Sequence, residues 1–335
     1  MRKSCVLIFS VAMSVCAVAQ PELKFRPDGK FVIMQMTDLH WTRERDDRMW
    51  DILKQGIQAV RPDLIMLTGD IVTDSDTRSG WEKVIAVLTQ SGIPWAVTFG
   101  NHDKEHDMTK PEIVELLQTK SGNLTENGPE NVSGNSNFIL KIASSKTPGK
   151  TASVLYCFDT RQQEDGIDST QIAWYRQNSR AFTAANGNKP LPGLAYLHIP
   201  LTEFKFVADS PATIGAFDEP VCDPPHNSGA LSAFAEGGDV MGVFVGHDHT
   251  NNFIGIYDNI CLAYGYTTLL SNSHYKTGRG ARAVELTEDR RTFATWLVQL
   301  WEEPEKDKTS TFKPKAEIRN KVVYPDAFQT RSLPH

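Results

Sequence analysis

Nine residues of this sequence have types and spacings that could do chemistry: Asp38 and His40 in TDLH, Asp70 in TGD, Asn101, His102 and Asp103 in GNHD, His198 in LHIP, and His247 and His249 in GHDH. Each stretch is weak evidence by itself. A His-x-His can be a metal clip, a surface accident or a satisfied polar pair, and a lone histidine near a strand is more often structural than a ligand. Together they form an inventory that suits metal. Carboxylate and imidazole donors favour zinc, iron or manganese over calcium or magnesium. Asp38, His40, Asp70, Asn101, His198, His247 and His249 are too many for one tetrahedral ion. They suit two ions held roughly 3.5–4 Å apart, with a carboxylate as the natural bridge between them. In extended chain, residues i and i+2 project the same way. Asp38/His40 and His247/His249 are each expected to turn both side chains toward one site.

The elements that must position these residues are legible. KFVIMQMTDLH (30–40) reads as a strand ending in polar residues. DDRMWDILKQGIQAV then carries Met49, Leu53, Ile57 and Val60 at helical spacing, with Asp46 or Asp47 near its start. RPDLIMLTGDIV is a near-continuous apolar run, as expected of a strand buried on both faces. WEKVIAVLTQSG reads as a helix closed by Gly92, and IPWAVTFGNHD as a third strand. This β-α-β-α-β order implies a parallel sheet with right-handed crossovers. Residues 104–150 read as an insertion or hairpin region with one short helix, PEIVELLQ. The layout then repeats with strand ASVLYCFDT, helix STQIAWYRQNSRAFTAA, strand LAYLHIPL, helix SGALSAFAEG, strand VMGVFVGHDHTN and a closing hairpin in ARAVELTEDRRTFATWLVQL. Every candidate donor falls where an apolar strand runs out. Ligands of open α/β sheets bind there.

Bulk properties narrow the classes of function. With 335 residues, 40% apolar and 23% charged, the chain reads as an ordinary globular protein. A net charge of −6 and no basic stripe argue against nucleic-acid duplex as a partner. Residues 1–19 have a basic start, an apolar stretch and a small-x-small end at Ala17-Val18-Ala19, the pattern of a cleaved secretory signal. The expectation is an exported protein, periplasmic or secreted, with no transmembrane segment. Lipid anchoring through Cys16 is disfavoured by the bulky Val15 before it. Cys157, Cys222 and Cys261 would remain, which allows at most one disulfide, and there is no Cys-x-x-Cys zinc pattern. Residues 20–335 read as a single domain, with a charged, Pro-bearing and loosely ordered tail from about 303. Sequence alone leaves the oligomeric state open.

The five blocks TDLH, TGD, GNHD, LHIP and GHDH, in this order from Thr37 to His249, resemble the calcineurin-like metallophosphoesterases, which include purple acid phosphatases and many bacterial phosphodiesterases. The resemblance implies a four-layer αββα sandwich of two mixed sheets flanked by helices. It implies two divalent or trivalent ions (manganese, iron or zinc), one held by Asp38, His40, Asp70 and His249, the other by Asp70, Asn101, His198 and His247, with Asp70 bridging. Hydroxide held by the two ions would attack the phosphorus of a small-molecule phosphate monoester or diester. His102 would act as general acid, its ring oriented by Asp103. Purple acid phosphatases place a tyrosine among the ligands; none follows TGD closely here, which argues against the coloured iron(III) site. His226, in the loop CDPPHNSG, is a possible substrate contact, with an exposed loop histidine as the plainer reading. Asp74 and Asp76 read as solvated loop charges, and Tyr264, Tyr266 and Arg279 as strand packing. A metal-dependent binding or sensor protein that has lost turnover is the rival reading.

Overall fold

The computed structural model describes residues 20–44, 48–104, 106–269, 278–301 and 316–325. The proposed signal segment with Cys5 and Cys16 and the helix-start residues Asp46 and Asp47 lie outside these residues.

The apolar runs form strands that alternate between two cores. In β2 (Lys30–Met36), Phe31 and Ile33 face one core while Val32, Met34 and Met36 face the other. That period-2 alternation, apolar on both faces, requires cover on both sides. Parallel β3 (Leu64–Thr68) and β4 (Trp95–Thr98) extend the sheet from β2. Antiparallel β11 (Arg279–Thr287), β12 (Phe293–Trp301) and β13 (Glu317–Tyr324) complete it in the order β13-β12-β11-β2-β3-β4. We call this sheet B. Helices α1 (Arg48–Val60), α2 (Thr77–Ser91) and α3 (Lys110–Gln118) cover its outer face through Leu53, Trp81, Leu88, Ile113 and Leu117.

Sheet A runs β1 (Leu23–Lys24), β5 (Phe138–Ala143), β6 (Thr151–Cys157), β7 (Gly193–Tyr196), β8 (Val240–Val245), β10 (Ile260–Tyr264), β9 (Ile254–Tyr257). Its outer face is covered by α4 (Ser169–Ala185), α5 (Phe204–Ala208) and α6 (Ala230–Gly237). The inner faces meet in one apolar layer that joins Phe31, Ile33 and Met66 of sheet B to Leu155, Leu194, Phe244 and Ala263 of sheet A. The layers are therefore helices, sheet B, sheet A, helices: the αββα sandwich of two mixed sheets. Burial of each large aliphatic side chain in such a layer contributes about 1.5–3 kcal/mol.

Chain punctuation follows local chemistry. Asp76 caps α2 by accepting from Ser79 N, and Gly92 ends the helix at φ 68°. Reciprocal capping boxes open α3 (Thr109 with Glu112) and α4 (Asp168 with Gln171). The 104–150 region supplies α3 and then β5, which forms an antiparallel hairpin with β6.

Three expectations need correction. The tail from about 303 was expected to be loosely ordered, yet Glu317–Tyr324 is an edge strand on β12. Its buried Val322 and Tyr324 alternate with outward residues, and Tyr324 stacks on Phe293 at 5.1 Å. Charged outward positions hid that period-2 signal. Asp74 is not a solvated charge: it is buried, accepts from Arg43 N at 2.6 Å and pairs with the Arg43 guanidinium at 3.0 Å. Residues 252–262, given no element in sequence, carry β9 and open β10 around an Asp258-Asn259 turn in which both residues have positive φ. Cys157, Cys222 and Cys261 are free thiols.

Candidate metal centre

The blocks converge because the chain keeps adjacent strand ends in step beyond the strands themselves. Past β2 and β3, Asp38 N donates to Gly69 O at 3.1 Å, His40 N to Asp70 O at 2.9 Å and Trp41 N to Ile71 O at 2.9 Å. Across sheet A, Gly246 N donates to His198 O at 3.0 Å, bringing the β7 and β8 ends together. The sheets are then stitched to each other: His247 N lies 3.1 Å from both oxygens of the Asp38 carboxylate.

Two groups of donors result. Asp38, His40 and His249 each offer one ligand atom, with those atoms within 4.8 Å of one another; so do Asp70, His198 and His247. Asp70 also reaches the first group: its Oδ2 is 3.5 Å from His40 Nε2 and 3.1 Å from His198 Nε2. It occupies the middle. Asp38 Oδ1 faces His249 Nε2 at 3.5 Å and His198 Nε2 at 3.9 Å. His40 Nε2 and His249 Nε2 confront each other at 3.1 Å.

The donor atoms fit a pair of cations. Asn101 Oδ1 is buried without a hydrogen-bond partner, and His198 Nε2, although close to Asp70, makes no bond of acceptable direction. Close, undirected approach of a ring nitrogen and a carboxylate oxygen is how two ligands of one ion stand. His198 Nδ1 sits 2.8 Å from Thr68 O, which can only accept, so Nδ1 carries a hydrogen and Nε2 is the nitrogen left to give up its proton to a cation. The electrostatics also call for positive charge. Burial raises the Asp70 carboxyl, but His198, His40 and His102 outweigh it and hold it well below the usual range. Burial likewise raises Asp38, and His249 and His198 bring it back below its ordinary value. Burial lowers His198, yet Asp70 and Asp38 push it up to about 10. His40 and His247 fall to about 4, chiefly through burial. Burial lowers His249 too, but its bond to Asp38 leaves it raised.

The backbone is strained where the donors sit. Asp38, His40, Asp70 and His247 have φ of 53°, 43°, 54° and 77°. Left-handed conformation at non-glycine residues costs about 1–3 kcal/mol each, and four of the seven candidate donors adopt it. This corrects one expectation. Asp38/His40 and His247/His249 do not reach the site by strand alternation but by left-handed turns after β2 and β8. His247 and His249 consequently join different groups.

The remaining expected residues divide. His102 N donates to Asp70 Oδ1 at 2.9 Å, and its ring lies 5.4 Å from the His40 ring, at the rim of the donor set. Asp103 does not take the ring-orienting role. Its buried carboxylate accepts from Asp70 N at 2.9 Å, Ile71 N at 2.8 Å, Val72 N at 3.5 Å and Gly100 N at 2.8 Å, so it pins the loop that carries the central aspartate. Burial and the neighbouring Asp70 charge raise its pKa against those amide bonds. His226 is exposed, in a crevice beside Ile199–Thr202, and no described contact joins it to the donors. Tyr264 and Arg279 are buried, as strand packing requires.

Sequence reasoning missed the residues behind the ligands. A Cβ at Gly69 would lie 2.4 Å from His198 Nδ1, one at Gly100 2.1 Å from Asp70 Oδ1, and one at Gly246 1.9 Å from Thr37 Oγ1. Each of these glycines immediately precedes a candidate donor, in Gly-Asp, Gly-Asn and Gly-His, and that was the available signal. Thr37 Oγ1 supports Asp38 Oδ2 at 2.7 Å.

An Arabidopsis thaliana protein described as probable inactive purple acid phosphatase 14 is 28% identical over 340 residues, 87% of this chain and 85% of its own. Probable inactive purple acid phosphatase 29 of the same plant is 30% identical over 308 residues, 77% and 79% of the two chains. A dimetal phosphatase from Danio rerio shares the fold, with a TM-score of 0.53 at 13% identity over 79% of this chain and 95% of that one. The sequence model of the calcineurin-like phosphoesterases matches residues 31–251, a span that opens on β2 and closes just after His249. By that match the chain belongs to the calcineurin-like phosphoesterase family.

Proposed function

We propose that this protein is a dinuclear metal-dependent phosphoesterase acting on small phosphate monoesters or diesters. The observation that carries the reading is the central Asp70 carboxylate, within 3.5 Å of His40 on one side and 3.1 Å of His198 on the other, beside two buried and unsatisfied ligand atoms. Asp38, His40, Asp70 and His249 would hold one ion, and Asp70, Asn101, His198 and His247 the other. Manganese, iron or zinc bound there would supply Lewis acidity and an activated water. The protein's own part is to place anion-attracting charge and a proton donor on one face. His102, anchored through its main chain to Asp70, stands at the rim where a departing ester oxygen needs a proton. No cysteine serves as nucleophile in this reading: Cys157 and Cys261 are buried with their thiols pushed up by desolvation. Residues 1–19 support export, and no helix among the described residues is long and apolar enough to cross a membrane.

A second reading has an observation in its favour: the two plant relatives above carry the description probable inactive. On that reading the same donors hold metal in a binding or sensor protein without turnover. Metal content measured beside hydrolysis of nitrophenyl phosphate and bis-nitrophenyl phosphate, after loading with manganese, zinc or iron, separates the two. Two ions per chain with turnover on either substrate is the expected result. Two ions without turnover gives the binding protein, and a chain that takes up no metal overturns both.

A further inference from the structure

One more set of mixed donors comes together beside the ligand groups. Cys222 Sγ, a His247 ring nitrogen and an Asp248 carboxylate oxygen all lie within 4.8 Å of one another. The cysteine is held there by its loop. Ala216 N donates to Asn252 Oδ1 at 2.8 Å, Asp218 N to Asn251 Oδ1 at 3.0 Å and Cys222 N to Asp248 Oδ2 at 3.1 Å, while Thr250 N donates back to Glu219 Oε1 at 2.6 Å. Gln163 Nε2 secures the other side through the carbonyls of Cys222 at 3.1 Å and Asp223 at 3.2 Å. Asp248 is fixed in turn by the Tyr264 hydroxyl, 2.5 Å from the same Oδ2. Cys222 is the exposed one of the three described cysteines. The Asp248 carboxylate, bonded to the Cys222 main chain, places negative charge beside the thiol, and that charge favours a cation there.

The geometry points to a third cation locus formed by Cys222 Sγ, His247 and Asp248, selective for a thiophilic divalent ion such as zinc or cadmium. Thiolate and imidazole select such ions, while the carboxylate-rich centre next door accepts harder ones. As the sulfur–metal bond forms, the thiol proton leaves to solvent. His247 belongs to this group and to the Asp70–His198 group alike, so an ion here draws on a ring of the hydrolytic centre and lowers its turnover. That consequence rests on the phosphoesterase reading; the binding itself does not.

The experiment titrates manganese-loaded protein with cadmium and follows both the ultraviolet thiolate-to-cadmium charge-transfer band and hydrolysis of bis-nitrophenyl phosphate. The band should saturate at one cadmium per chain, with turnover falling in step. Cys222→Ser keeps the main-chain bond to Asp248, so the loop stays in place. It should remove the band and raise the cadmium needed for inhibition by at least ~10-fold, the scale of a lost metal partner. A band that persists in Cys222→Ser, or that never appears in the wild type, overturns the locus. Full turnover at saturating cadmium overturns the coupling through His247. Should Asp70→Ala still hold two manganese ions, the dinuclear reading fails, while the band continues to report on Cys222.

Discussion

Sheet B and sheet A each bring part of the donor set, and they do so by different means. From β2, β3 and β4 come both carboxylates, His40, Asn101 and His102, on turns strained at Asp38, His40 and Asp70. Asp103 holds the turns after β3 and β4 by accepting from the main chain of Asp70, Ile71, Val72 and Gly100. From β7 and β8 come only rings. His198 is held by one carbonyl, Thr68 O, which itself belongs to sheet B. His247 is held through its main chain by Asp38, again from sheet B. The half rich in carboxylate is thus built as a rigid frame, and the imidazole half is positioned against it. Such a division follows from charge. Two buried carboxylates within reach of one another repel and must be held in place by the chain, whereas the rings beside them are attracted and need orientation.

The largest expected effect lies at the centre of the frame. Asp70→Ala should empty both metal positions and abolish turnover, because both groups use that carboxylate. Metal analysis of the purified variant checks it, and retention of both ions would show that the halves are independent sites. His102→Ala should keep both ions and reduce turnover by about 10²- to 10⁴-fold, the usual contribution of a positioned proton donor. Loss of metal in that variant would move His102 from the rim into the frame. Asp103→Ala leaves buried amides without an acceptor, at about 1–3 kcal/mol for each unsatisfied group. A drop of about 3 kcal/mol or more in denaturant-measured stability is expected, with Asp103→Asn milder. If Asp103→Ala instead left stability intact and only shifted the pH dependence of turnover, the ring-orienting role would return. The smallest effect belongs to Thr37→Val, which removes the hydroxyl behind Asp38 at nearly constant volume. Metal affinity should weaken by about 10-fold with little change in stability, and equilibrium dialysis reads the difference.

Much of the sandwich could be seen before any coordinates. The strands ending at the ligand blocks, the helices between them and the closing hairpin all appear where periodicity and caps placed them, since long apolar runs bounded by Gly, Asn and Asp leave few alternatives. What escaped was short or masked by charge: two-residue β1, the β9–β10 turn and β13, whose buried side is only Val322 and Tyr324. Asp74 escaped for a related reason. A lone aspartate in a loop carries no mark of the arginine that will bury it.

By itself the sequence determined which atoms could serve: the carboxylates, rings and amide at five strand ends, each in a short block, with a glycine before Asp70, Asn101 and His247. Local covalent chemistry and strand periodicity suffice for that much. The family resemblance already implied a central Asp70 with His247 and His249 on opposite sides of it, and the packing brings those atoms together; only the tertiary structure decided that Asp103 serves the main chain and that Cys222 comes within reach of His247. These are relations between segments far apart in the chain. They are set by how two twisted sheets pack and by turns bent into left-handed backbone, and no local pattern encodes either.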